Sequence, residues 1–475
     1  MGRSSDYLRQ ILKDNQRYQI QLNECHKIMN SQKLKIELLE DENKSLKKRL
    51  EKYEIKNDID STTSSIPSSK NRFKTGITNS REKSNRPVGA QIGHKGKYVK
   101  KEVVEKILSN EQTIKEVKEI NLSKENKDKK PIIRYQLDYK IVPVLTEIRI
   151  YPDRFGKYKI PKEYISPITY GPYTKTLANY LKFESNVSGD NIKEIFKHFF
   201  SFNISKGTLV NWEQELEKGL RAETYNILKQ LKNAKSVHAD DTQINVDGKK
   251  YYIHNISTST HTMQWAYPSK SGQAISEIGF LMEYSGDIIK DGTHVYDKFA
   301  KGKMASCGAH ISRYLKGSQK GCIHFEAFRL LMFLNGLNKR RNKLKRKNIT
   351  AFSSEEIHNI RTQYLSILNA WNIQINKDMK INPLYDEERK LCHRLKEDIE
   401  QHLLFVNDFS IPFTNNRAET DLRGVKSRQN VGIFRSNEGA ERYTTIKSNL
   451  STYKKNKINL KDAILSALSS NPVLI

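Results

Sequence analysis

Three acidic residues that lie far apart in the chain could together form a metal-dependent phosphoryl-transfer site. Asp240 lies in the apolar, strand-like segment VHADDTQI, where uncompensated burial of its charge would be costly. Asp291 ends a second short strand candidate, and Glu419 lies on a later helix. Carboxylates of this kind can hold two Mg²⁺ about 3.5–4 Å apart, to activate an attacking water or 3′-hydroxyl and stabilise the leaving oxygen. No single one of them is diagnostic, because the chain carries 54 acidic residues.

Asp241 directly follows Asp240 and points to the opposite face of a strand, so only one of the two can be the ligand. We favour Asp240.

Basic side chains surround Glu419 in the segment IPFTNNRAETDLRGVKSRQNVGIFR, residues 411–435. A helix through this segment places Asn416, Glu419 and Arg423 on one face. The alternative is an amphipathic surface helix with a solvated charged face. In the catalytic interpretation, phosphates near Glu419 are held by Arg417, Arg423, Lys426 and Arg428.

The segments that would position the carboxylates have the order of an α/β fold. Lys235–Pro268 predicts three strands joined by short turns, and Gly272–Tyr284 predicts a helix. The segment GDIIKDGTHVYDKF then predicts a parallel strand that ends at Asp291. Antiparallel strands, a helix and a parallel strand with an acidic tip are the layout of an RNase H-like core. We place this core at 231–435, with an all-α insertion at about 326–410 and a C-terminal helical element at 436–475.

The net charge of the chain favours a polyanionic partner. Its formal charge is +29 and its pI is near 9.6, for which nucleic acid is the usual explanation, although ribosome-like or membrane-surface binding also fits. No apolar run approaches the ~18 residues of a membrane span, and no signal-peptide core is present. The four cysteines include no CxxC pair, which argues for a reducing cytoplasm and against disulfides or a four-thiolate zinc site.

A heptad register from Leu8 to Tyr53 predicts a coiled coil within residues 1–57. Eleven of its fourteen a and d positions are apolar, and two of the exceptions are Asn at a, which favours a parallel two-stranded coil. The alternative is one helix packed on its own domain. The residues expected to form the dimer seam are Leu8, Asn15, Leu22, Ile36, Leu39, Asn43, Leu46 and Leu50.

Two further regions are candidates for DNA contact. After a basic flexible linker at 58–130, the region 131–230 predicts strands over Ile132–Tyr151 and then a helix-turn-helix. Thr208 and Asn211 lie near the start of its second helix, although two-helix corners also occur in proteins that bind no DNA. The run KRRNKLKRK at 339–347 has seven basic residues in nine, and its predicted DNA contacts are Lys339, Arg340 and Arg341.

Four motifs, HADDT, KDGTHVY, CGAHISRYLKG and NNRAETDLR, resemble in order and spacing those of insertion sequence sixty-six family transposases of the TnpC type. These are DDE enzymes of the RNase H-like superfamily. Upstream, GAQIGHKGK, YGPYTKTLANYL and ISKGTLVNW also match, so the resemblance covers nearly the whole chain. It implies that Asp240, Asp291 and Glu419 are the catalytic residues and the Mg²⁺ ligands of a two-metal site, in which Mn²⁺ can substitute.

The chain departs from the family pattern where members usually carry paired cysteines for a zinc-binding module. Residues 101–140 contain no Cys, so no zinc is expected. Cys307 and His310 match a Cys-x-x-His segment of the family, but two ligands do not make a zinc site, and we expect a structural role beside Asp291.

The resemblance implies a DNA transposase that binds the terminal inverted repeats of its element, cleaves with Mg²⁺ and joins the ends to target DNA. Its partners would be DNA, a second copy of the chain or a higher homo-oligomer, and accessory proteins of the same element, with no membrane. The alternatives are an inactive or domesticated DNA-binding protein and a metal-dependent nuclease without strand transfer.

Overall fold

The structure is a computed structural model, and it describes residues 36, 101–109, 117–118, 133–134, 136, 143–321, 325–378, 385–469 and 473–475. One residue of the predicted dimer seam, Ile36, is among them; it is helical and 55% exposed. The others lie outside the described residues: Leu8, Asn15, Leu22, Leu39, Asn43, Leu46 and Leu50. None of the described helices is long and apolar enough to span a membrane.

The chain divides into two compact units, and the smaller one comprises residues 79–165 and 195–203. Its described part contains helix α1 (Lys101–Leu108) and a short 3-10 helix (Lys162–Tyr164).

The predicted strands over Ile132–Tyr151 are absent from the described residues of that interval, so this prediction is wrong for them. Val144 and Leu145 are instead 89% and 97% exposed. Branched apolar residues favour a strand only where neighbouring strands supply hydrogen bonds and a surface to pack on, and the sequence pattern alone does not supply either.

Four helices precede the sheet: α2 (Pro172–Phe183), α3 (Gly189–Phe200), α4 (Lys206–Gly219) and α5 (Arg221–Lys232). Helix α4 begins just before Thr208, as the sequence predicts. Ser205 caps this helix start, since its side chain accepts a hydrogen bond from Thr208 N at 3.0 Å. Both helices of the predicted helix-turn-helix are present, and their use in DNA binding stays a prediction.

A five-stranded mixed sheet lies in the larger unit. Its strands are β1 (Ser236–Val246), β2 (Lys249–Ser257), β3 (Thr262–Tyr267), β4 (Asp287–Lys290) and β5 (Met304–Ser306). Their order is β3-β2-β1-β4-β5; β1, β2 and β3 pair antiparallel, and β4 and β5 run parallel to β1. Asp247 and Gly248 join β1 to β2 with φ of 48° and 76°, as a tight hairpin turn requires. The predicted mixed α/β class is confirmed.

The single helix predicted over Gly272–Tyr284 is instead two helices, α6 (Gly272–Ile278) and α7 (Phe280–Glu283). The break falls at Gly279, whose φ of 76° is left-handed and whose N–H donates to Ile275 O at 3.2 Å. Glycine adopts this conformation without steric cost, which is why it ends helix α6.

Between β5 and the Glu419 segment, the described elements are all helices. They are α8 (Gly308–Gly321), α9 (Phe325–Lys345), α10 (Ser354–Asp378), α11 (Tyr385–Glu397) and α12 (Ile399–Asn407). Their buried side chains form one core with Ile289 of β4 and Ala305 of β5. These helices are therefore packed against the strands that follow β1 in the sheet.

The chain ends with α13 (Asn416–Gln429), α14 (Asn437–Lys455) and α15 (Leu460–Leu468). Leu422 of α13 packs in one cluster with Ile244 and Val246 of β1. Phe434 forms a bridge to the end of β1, since its N–H donates to Asn245 O at 3.1 Å. Helix α13 thus covers the face of the sheet to which Ile244, Val246 and the other even-numbered residues of β1 point.

Candidate active site

Asp240 and Asp291 lie side by side in the middle of the sheet. Strands β1 and β4 are parallel neighbours in which His238 pairs with Ile289. The same register, continued by two residues, brings Asp240 level with Asp291, the first residue after β4. Neighbouring strands are about 4.8 Å apart, and residues at one level share a face. Asp291 Oδ1 also accepts the Thr293 N–H at 3.1 Å, which orients its carboxylate.

Glu419 approaches the same place from the first turn of α13. Asp240 and Ile244 share the face of β1 that packs against Leu422 of this helix. The charge of Glu419 acts on the pKa of Asp240, as does the charge of Asp291. The structure thus places Asp291 and Glu419, the other two carboxylates that the sequence singled out, within electrostatic range of Asp240.

The electrostatics of Asp240 indicate that negative charge predominates around this side chain. Burial, and then repulsion from Asp291, Asp241 and Glu419, raise the pKa of Asp240 to about 8, against the opposing effect of the hydrogen bond from Asp241 N. A carboxylate in this position is disfavoured at neutral pH unless a cation is supplied. Carboxylate oxygens are the ligands that Mg²⁺ prefers, so the donor atoms of these three residues suit a divalent cation.

Asp241 belongs to a different set of contacts. It lies directly across from His254 on β2. Burial raises the pKa of Asp241, and the charges of Lys270 and His254 oppose this rise. Asp241 therefore lies near the positive charge of Lys270, and the choice of Asp240 as the ligand stays a prediction.

Two residues of helix α8 lie against Glu419. Arg313 Nη2 is 3.4 Å from Glu419 Oε1, and His310 Nδ1 is 3.9 Å from the same oxygen. Burial and the neighbouring Arg313 lower the pKa of His310, so the imidazole is neutral and Arg313 supplies the positive charge. The hydrogen bond from Arg313 orients the Glu419 carboxylate.

Cys307, His310 and Glu419 could also form a metal-ligand group, because their ligand atoms lie within 4.8 Å of one another. Cys307 is 1% exposed, and burial raises the pKa of its thiol. A protonated thiol is a poor metal ligand, and a structural zinc site takes four ligands. Cys307 N donates to Lys290 O at 2.8 Å, which fits the structural role expected beside Asp291.

The basic residues of α13 divide into two groups. Arg417, Arg423 and Lys426 are exposed on the solvent side of the helix. Arg428 is not: it donates to Gly432 O at 2.9 Å and lies over the Phe434 ring at 5.1 Å. Its guanidinium is committed to these groups, so the predicted phosphate contact by Arg428 is corrected to a structural role.

The basic run on α9 divides in the same way. Lys339 and Arg340 are exposed, and Arg340 pairs with Glu356. Arg341 is 6% exposed, and its Nη2 donates to Phe409 O and Ile411 O, both at 2.6 Å. The prediction that Arg341 contacts DNA is therefore wrong, because backbone carbonyl oxygens occupy its guanidinium inside the protein.

The helix-turn-helix residues lie on the outer side of α4. Asn211 is exposed and Thr208 is half-buried, with its Oγ1 2.9 Å from Ser205 Oγ. The adjacent Trp212 is 5% exposed and faces the interior.

Sequence reasoning missed a buried lysine next to Asp291. Lys290 Nζ donates to Thr293 O at 2.6 Å and pairs with Asp297 Oδ1 at 2.7 Å, with a side chain that is 1% exposed. These contacts close the loop that follows Asp291. Tyr296 in this loop is buried beside the carboxylates, whose charges, together with burial, raise its pKa. The sequence signal for this buried lysine was its position at the end of the apolar strand DIIK.

Comparison with known proteins gives one family. A family model described as "Transposase IS66 family" matches residues 168–442, which include all five strands and the three carboxylates. A search of curated proteins finds no match. Because the match covers more than half of the 475 residues, the chain belongs to the IS66 family of transposases.

Proposed function

We propose that this protein is a DNA transposase that binds the ends of its insertion sequence and catalyses Mg²⁺-dependent DNA cleavage and strand transfer at a DDE site. The observation that carries the proposal is the position of Asp240 on β1, level with Asp291 after the parallel strand β4 and within electrostatic range of Glu419. Such crowding of carboxylates destabilises a metal-free protein and is useful where a cation binds.

The strand order supports an RNase H-like assignment for the core. Three antiparallel strands precede a strand parallel to β1. Asp240 lies on the central strand β1, and Asp291 directly follows its parallel neighbour β4. Glu419 follows a helical insertion, as the resemblance to DDE enzymes implies.

Asp240, Asp291 and Glu419 would hold Mg²⁺, for which Mn²⁺ can substitute. A bound pair of such ions activates the attacking oxygen and stabilises the leaving oxygen. The protein's own contribution is to hold the carboxylates in a fixed orientation. Arg313 does this for Glu419, and Lys290 closes the loop that carries Asp291.

DNA is the partner that the charge and the family support. Phosphate contacts are sequence-independent and suit exposed basic residues, whereas residues at a helix start can reach base edges. The proposed contacts are Arg417, Arg423, Lys426, Lys339 and Arg340 for phosphates, and Thr208 and Asn211 for the terminal repeats.

We further propose assembly as a homodimer or larger homo-oligomer through the N-terminal heptads, with accessory proteins of the same element as additional partners. The heptad register at residues 8–53 supports this part of the proposal.

The test uses the full chain with DNA that carries the element's inverted repeats, taken from the sequence flanking the gene. Alanine at Asp240, Asp291 or Glu419 should lower Mg²⁺-dependent cleavage by ~10³-fold or more and leave end binding unchanged. Asp247→Asn, at an exposed turn on the same strand, is the matched control and should cleave normally. Cleavage by all three alanine variants would refute the site.

Strand transfer separates a transposase from a nuclease. With pre-cleaved ends and a target plasmid, the wild-type protein should join the two DNAs, and a nuclease would not. Binding of the ends without cleavage by the wild-type protein would support the inactive, domesticated alternative.

A further inference from the structure

Asn415, the residue before helix α13, is fully buried and makes four hydrogen bonds that meet at the carboxylate site. Its Nδ2 donates to Ala239 O at 2.7 Å, and its Oδ1 is 2.8 Å from His238 Nδ1. Its backbone N–H donates to Cys307 Sγ at 3.1 Å. Its carbonyl oxygen accepts the Glu419 N–H at 3.4 Å.

Cys307 makes the complementary contacts from the end of β5. Its N–H donates to Lys290 O at 2.8 Å. Its buried sulfur accepts the Asn415 N–H, and its carbonyl oxygen accepts the His310 N–H at 3.0 Å in the first turn of α8. Cys307 therefore joins the start of α8 to the start of α13.

The two residues together contact the backbone next to each carboxylate. Ala239 directly precedes Asp240, Lys290 directly precedes Asp291, and Asn415 lies one helical turn before Glu419. These contacts connect three distant parts of the chain next to the carboxylates, where a shift of the backbone would move the carboxylates most.

We propose that Asn415 and Cys307 are positioning residues that fix Asp240, Asp291 and Glu419 relative to one another in the geometry that binds a divalent cation. This inference rests on the proposed function. We call the pair the Asn415–Cys307 clip.

Both the donor and the acceptor of the Asn415 carboxamide have partners, which a side chain that only fills space in the core would not require. With Nδ2 directed at Ala239 O, Oδ1 can only accept, so His238 Nδ1 carries the proton and donates it. A buried amide with these partners specifies one orientation of the helix start, whereas an apolar side chain would allow small shifts. Shifts of this size matter because metal ligands are sensitive to the groups that orient them.

The experiment measures Mn²⁺ binding to the metal-free full chain, without DNA, from the loss of the free Mn²⁺ electron paramagnetic resonance signal. Asn415→Ala should raise the dissociation constant by about tenfold or more. Cys307→Val, which removes the acceptor, should act in the same direction. Cys307→Ser keeps an acceptor and should bind Mn²⁺ more tightly than the Val variant.

Asn449→Ala is the matched control. Asn449 is also fully buried, and its Nδ2 donates to Thr224 Oγ1 at 2.8 Å, away from the carboxylates. It should lower the melting temperature as Asn415→Ala does and leave Mn²⁺ affinity unchanged.

Wild-type Mn²⁺ affinity in both Asn415→Ala and Cys307→Val would overturn the clip and leave the proposed function standing. Absence of Mn²⁺ binding by the wild-type protein would overturn both. If Asn415→Ala does not fold, the Cys307 pair decides: equal affinity of the Val and Ser variants with the wild type refutes the clip.

Discussion

Asp240→Asn should stabilise the metal-free protein, although it removes a residue assigned to the catalytic site. Asn has nearly the shape of Asp and carries no charge. The substitution therefore relieves the burial of a carboxylate beside Asp291 and Glu419 while it leaves the packing of β1 intact.

The size and sign follow from the pKa of Asp240, which rises from an ordinary 3.8 to about 8 in the folded protein. The folded state binds a proton that the unfolded state has lost, so stability falls as pH rises from about 4 to 8. At ~1.4 kcal/mol per pH unit the full shift corresponds to roughly 6 kcal/mol. Relaxation and water entry reduce such penalties, and we expect ~2–3 kcal/mol.

Thermal unfolding followed by circular dichroism, in the absence of divalent metal, measures this effect. At pH 8 the melting temperature of Asp240→Asn should exceed that of the wild type by ~2–4 °C, and the difference should shrink towards pH 4. The control Asp247→Asn, at an exposed position, should show no pH-dependent difference. An Asp240→Asn variant that is no more stable than the wild type at pH 8 would refute the electrostatic reasoning.

Two further predictions concern Arg341 and Lys290, which are buried cations. Arg341→Ala should lower the free energy of unfolding by ~2–4 kcal/mol in denaturant unfolding, because two backbone carbonyl oxygens lose their donor. Its exposed neighbour is the comparison: Lys339→Ala should leave stability unchanged and lower the slope of log DNA affinity against log salt concentration by about 1. The opposite pattern would contradict the assignment of the two residues. Lys290→Met should lower the free energy of unfolding in urea by ~3 kcal/mol, because Asp297 loses its buried partner. Adding Asp297→Asn should restore part of that stability. A double variant less stable than Lys290→Met would count against the ion pair.

The sheet was largely predictable because its strands carry local signals. The turn at Asp247-Gly248 and the alternation in β1 predict the hairpin, and an acidic residue at the tip of DIIK marks the strand parallel to β1. Strand β5 has three residues, too few for a periodic pattern, and it escaped prediction.

For Arg341 and Arg428, the sequence contained a sign of inward orientation that the many neighbouring basic residues obscured. Arg341 follows the buried Leu334 and Leu337 at helical spacing, and Arg428 follows the buried Val425 by three residues. Residues at these spacings share the inward face of a helix. Helical periodicity, weighed above the count of basic residues, would have placed both side chains towards the interior.

The Asn415–Cys307 clip could not be read from the sequence. Its partners are separated by 108 residues along the chain, and Asn415 contacts Ala239 across 176. Local patterns carry no information about which buried amide meets which strand, so this part of the site required the fold.

Iron-directed backbone cleavage tests the central claim most directly. Fe²⁺ bound in place of Mg²⁺, with ascorbate and peroxide, produces radicals that cut the polypeptide near the ion. We predict cuts near residues 240, 291 and 419 in the same protein, suppressed by excess Mg²⁺ and lost in Asp240→Ala. Cuts confined to one of these segments, or unaffected by that substitution, would contradict a shared cation site.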